Sequence, residues 1–77
     1  MAKLIDRALR DYQAQHDKFL AEAKKRFDRF QKIAEKPRSP AEKKVAERNM
    51  EGVLAAIARA DKVAKETMLM LKELRNN

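Results

Sequence analysis

The side chains that could do chemistry in this chain are few. One imidazole, His16, stands four residues after Tyr12 and three before Phe19, with Gln13 and Asp17 close by; Thr67 and Asn49 are the other polar residues near the apolar stripes. An imidazole can serve as acid, base or metal ligand, but each role needs convergent partners in a shielded pocket. With no cysteine there is no thiol nucleophile, and a single glycine cannot build a phosphate-cradling loop. Helical di-iron sites place Glu-x-x-His pairs on facing helices, whereas the residue three before His16 is Gln13 and no second histidine exists. The sequence therefore predicts no enzyme, no metal site, no cofactor and no small-molecule substrate. His16 is expected in a helix seam with one ring nitrogen bonded to a side chain or water, where protonation would place charge in the seam and weaken it. Tyr12 is expected as a core residue with its hydroxyl at the rim, and the four methionines as gap fillers.

The elements that position these residues are written in the spacing. Ile5, Leu9, Tyr12, His16, Phe19, Ala23, Phe27, Phe30 and Ala34 recur every three or four residues, a helical stripe that predicts a first helix over about 2–35. Heptad spacing holds as far as Ala23 and slips by one at Phe27, a step that locally relaxes left-handed supercoiling. Lys36 precedes Pro37 and is pushed out of helical geometry. Ser39-Pro40-Ala41-Glu42 then supplies an N-cap hydroxyl, a proline at the first helical position and a glutamate at the third, the pattern of a capping box. Ala46, Met50, Val53, Ile57, Ala60, Ala64, Met68, Leu71 and Leu74 continue the stripe, so a second helix is predicted over about 40–75.

A turn of only residues 36–39 makes the two helices antiparallel neighbours. The expected fold is an all-α helical hairpin in a single domain, residues 1–77. Folding about residue 38 pairs positions whose numbers sum to about 76: Tyr12 with Ala64, His16 with Ala60, Phe19 with Ile57 and Phe30 with Ala46. Large side chains face small ones, as close packing requires. An all-β domain is excluded by too few turn residues, and the longest apolar run, Val53 to Ala58, is far short of the roughly 20 residues of a membrane span. The first dozen residues lack the apolar core of a signal peptide. No membrane partner is expected, and the chain reads as intracellular, by default cytoplasmic.

At about 100° per residue, the apolar arc of the first helix covers about 140° and that of the second about 200°, widened by Val45, Gly52, Ala56, Val63 and Met70. One partner helix cannot cover the wider arc. Gly52, Ala56, Ala60 and Ala64 form a ridge of small side chains, and Met68 to Leu71 are apolar in nearly every direction. A second hairpin is therefore expected to dock on Gly52, Val53, Ala56, Ala60, Val63, Ala64 and Met70, giving a homodimeric four-helix bundle with coiled-coil-like packing.

Charge is distributed unevenly. The chain carries a net +7, of which residues 24–48 contribute +6 through Lys24, Lys25, Arg26, Arg29, Lys32, Lys36, Arg38, Lys43, Lys44 and Arg48. Such a basic tip attracts polyanions. Phe27 and Phe30 interleave with it but lie on the inner stripe, so base stacking is not expected. The functional expectation is a non-enzymatic binding protein of the regulator or inhibitor type, engaging a nucleic acid or an acidic protein through this tip. The rival expectation is an assembly adaptor that docks a larger helical protein through the apolar flank of the second helix.

Overall fold

The computed structural model describes residues 2–76 and consists of two antiparallel helices, α1 (Ala2–Glu35) and α2 (Pro40–Asn76). They pack side by side in a rod of 57 × 16 × 10 Å. This is the expected all-α hairpin, with α2 reaching one residue further than the stripe implied.

The turn explains why the chain reverses where it does. α1 closes with the Lys36 amide on the Lys32 carbonyl at 3.3 Å, and Pro37 prevents continuation. Pro40, lacking an N–H, opens α2 where no donor is needed. The Glu42 amide donates to Ser39 Oγ at 3.2 Å, and the Lys43 amide to the Ser39 carbonyl at the same distance. In the usual capping box the glutamate returns to the N-cap amide. Here Glu42 Oε1 instead accepts from the Arg38 amide at 3.3 Å, one residue further back, and so ties the turn as well as the helix end.

The seam is narrow and is centred on alanine. Among the described residues Ala23, Ala46 and Ala64 are buried, at 9%, 2% and 4% exposure, and no large side chain is fully buried. Tyr12, His16, Phe27, Phe30, Met50, Ile57, Met68 and Leu71 are half-buried around them. Two stripe positions depart from expectation. Phe19, expected against Ile57, is 40% exposed, whereas Leu20 is turned partly inward. At about 100° per residue the two straddle the direction set by Ala23, about 40° to one side and 60° to the other, so neither points straight across. Leu74, expected on the inner stripe, is 55% exposed because its register partners are the first residues of α1.

Two polar links fix the register. His16 Nε2 lies 2.8 Å from Asp61 Oδ1, a pair summing to 77 against the expected 76. Arg75 Nη1 lies 2.9 Å from Asp6 Oδ1. That pair sums to 81, an offset of about one helical turn, which an arginine side chain spans. Replacing Ser39 with alanine removes the acceptor for the Glu42 amide and should cost about 1 kcal/mol. For a chain of this size that is a fall of roughly 4–8 °C in Tm, and an unchanged thermal or urea midpoint would show that the hydroxyl does not cap.

Candidate functional site

The expected tip residues come together. Lys24, Lys25, Arg26, Arg29 and Lys32 occupy the last three turns of α1, Lys36 and Arg38 the turn, and Lys43, Lys44 and Arg48 the first turns of α2; all ten are exposed. Lys25, Arg29 and Lys32 form an outward ridge on α1 that Lys36 continues into the turn, while Arg26 and Lys24 point to opposite sides of it, so the cations ring the tip instead of lining one face. Lys32, Lys36 and Arg38 surround a shallow depression with Ile33 and Glu42. Among the described residues the two ion pairs are His16–Asp61 and Arg75–Asp6, and neither draws on a tip cation. Phe27 and Phe30 are half-buried, as the stripe implied. The tip therefore offers charge and hydrogen-bond donors without an aromatic platform.

His16 is the other candidate. Its side chain is 14% exposed and its Nε2 donates to Asp61, whose carboxylate is 45% exposed at the rim. The expected side-chain partner in the seam is thus found. Asp17 is engaged elsewhere: it accepts from Gln13 Nε2 at 2.9 Å on the exposed surface. Asn49 donates to the Val45 carbonyl of its own helix at 3.0 Å and contributes nothing across the seam. Among the described residues no three His, Cys, Asp or Glu side chains converge on a point that could hold a metal ion, and no helix is long and apolar enough to cross a membrane.

The third feature is a groove along one side of the hairpin. Near the tip it is lined by Phe19, Phe30, Gly52, Val53 and Ala56 with Arg26 and Arg29 at its lip; towards the open end it continues past Tyr12, Gln15, Arg59, Ala60 and Val63. Of the residues expected to meet a second hairpin, Gly52, Val53, Ala56, Ala60 and Val63 line this groove, and Met70 is 58% exposed on the same flank. Ala64 is different. At 4% exposure it is already covered by α1 and belongs to the seam within the chain.

Compared with known families, curated proteins and solved structures, the chain matches none. Its functional reading rests on its own surface.

Sequence reasoning missed Asp61, Asp6 and Arg75. Asp61 was within reach of it, since it is the neighbour of Ala60, the register partner assigned to His16. Asp61→Ala should cost about 1–2 kcal/mol by leaving a mostly buried imidazole N–H unpaired. Adding His16→Leu to that variant should return part of the loss, because the unsatisfied group is removed. A strictly additive double-mutant cycle in urea denaturation would contradict this coupling.

Proposed function

We propose that the protein is a non-enzymatic binding module whose basic hairpin tip engages an anionic macromolecule. The observation that carries this reading is the concentration of ten exposed cations, none of them in an ion pair among the described residues, at one end of a rod whose other parts are nearly neutral. A ring of Lys and Arg whose own aromatics, Phe27 and Phe30, are half-buried contacts phosphates or carboxylates mainly through charge, with the exposed Phe19 set back in the groove behind Arg26 and Arg29. A nucleic-acid backbone supplies the densest such target. Counterion release from it provides a driving force that a flat solvated surface lacks.

Reversing Lys25, Arg29, Lys36 and Lys44 to glutamate changes the charge by eight per chain at positions outside the apolar seam. Helicity should remain near that of the parent while binding to single- and double-stranded oligonucleotides is lost. For the parent, engagement of six or more phosphates should weaken binding by about 10³–10⁵ between 50 and 200 mM salt. A shallow slope with the main effect on association rate would identify an acidic protein as the partner. A quadruple variant that binds oligonucleotides and acidic protein surfaces as tightly as the parent at low salt would end the proposal.

A further inference from the structure

The groove face is the least finished part of the molecule. Among the described residues eight large apolar side chains are exposed, and helical projection puts six of them on this one side: Leu4, Phe19, Val45, Val63, Met70 and Leu74, each 40–69% exposed. Leu54 and Leu69 lie on the opposite side, where the two ion pairs bridge the helices. A folded monomer of 8.9 kDa is expected to expose about 4,800 Å²; this chain exposes 6579 Å². The excess of roughly 1,800 Å² falls within the roughly 1,000–2,500 Å² that each subunit of an obligate homodimer buries. Over Gly52, near the middle of the face, an added Cβ would meet nothing within 4 Å, so another helix has room to approach.

We propose that this face docks a second copy of the chain in an antiparallel two-fold arrangement, with α1 on α1, α2 on α2 and the two basic tips at opposite ends of a four-helix bundle. Charge selects this over the other two-fold packing, in which α1 lies on α2 and the tips sit side by side. That alternative brings two +6 tips together, whereas the antiparallel one sets each tip beside a nearly neutral open end. The pairing follows from the helix bounds. A two-fold axis through the middle of the rod brings together α1 residues whose numbers sum to about 37 and α2 residues whose numbers sum to about 116. Arg26 then stands opposite Asp11 of the second copy, both exposed on the groove side, and the pair occurs twice by symmetry; Arg59, which also lines the groove, meets its own copy near the axis, so the separation of the two +6 tips is what selects the packing.

Three measurements test the proposal. Sedimentation equilibrium at tens of micromolar should give twice the chain mass. Val63→Glu with Met70→Glu should abolish the dimer, whereas Leu54→Glu with Leu69→Glu, equally exposed on the other side, should leave the mass unchanged. With no native cysteine to interfere, a spin label on Arg38→Cys should report a tip-to-tip separation of about 50 Å, the length of a helix of this size. A single-chain mass, equal sensitivity to both pairs of substitutions, or a tip separation below about 20 Å would each overturn it. Should Val63→Glu with Met70→Glu unfold the chain, the mass of the opposite-side variant and the label distance still decide the matter. None of these readouts depends on what the tip binds.

Discussion

Two helices in contact cover one stripe of each other, and here alanine closes that stripe. Ala23, Ala46 and Ala64 let the backbones come near, and nearness leaves no room between them for larger side chains. Leu, Phe and Met are pushed to the flanks, where they are covered on one side only. Phe19 shows the effect most plainly: the seam direction falls between it and Leu20, and each is left partly in water. The same constraint accounts for the surplus of surface. A hairpin with so narrow a seam gains little from burial against the cost of ordering two helices of 34 and 37 residues.

The two sides of the rod are finished differently. On one, Asp61 takes the imidazole N–H of His16 and Asp6 takes the guanidinium of Arg75, links made across the seam near its middle and at its open end. The Arg75–Asp6 pair is close to half exposed at both partners and adds little energy, at most about 1 kcal/mol. The shorter His16–Asp61 link is the one that sets the register, since the long arginine side chain tolerates a small slip. On the groove side no such link ties the helices among the described residues. Apolar side chains and a wide α2 flank line it, and there packing against another surface has the most to gain.

How far the sequence reveals this molecule depends on which physics is involved. Helix periodicity, the Pro37 stop and the Ser39 cap are local, and the structure reproduces each within a residue. The register is nearly local once the turn is fixed, which is why His16 fell one position from its actual partner. What periodicity could not supply is the choice between Phe19 and Leu20, which depends on how closely the helices approach and on the seam direction, where a few tens of degrees decide; Ala64 was read both as Tyr12's partner in the seam and as part of the docking face, and only the first holds. The reach of Glu42 to the Arg38 amide, past the N-cap, is likewise a matter of turn geometry absent from the motif. The tip cations were legible because outward position is easy to read from a helix projection.

The tip charge is the feature that folding alone does least to explain. Lys25 and Arg29, Lys32 and Lys36, and Lys44 and Arg48 are like-charge pairs four residues apart, an arrangement that destabilises a helix by about 0.2–0.5 kcal/mol per pair. Lys32 and Lys36 recover some of this at the C-terminal end of α1, where the helix dipole favours cations. Lys43 and Lys44 do the reverse, standing at the N-terminus of α2 with Glu42 the one acid in its first turn. A surface chosen for solubility would spread these charges along a rod with ample room elsewhere. Keeping them together at one end works against the N-terminus of α2 and sets like charges one turn apart, a cost that the anionic partner proposed above would offset. A bundle with its tips at opposite ends would then present two such surfaces about 50 Å apart, able to act on one extended polyanion or on two separate ones.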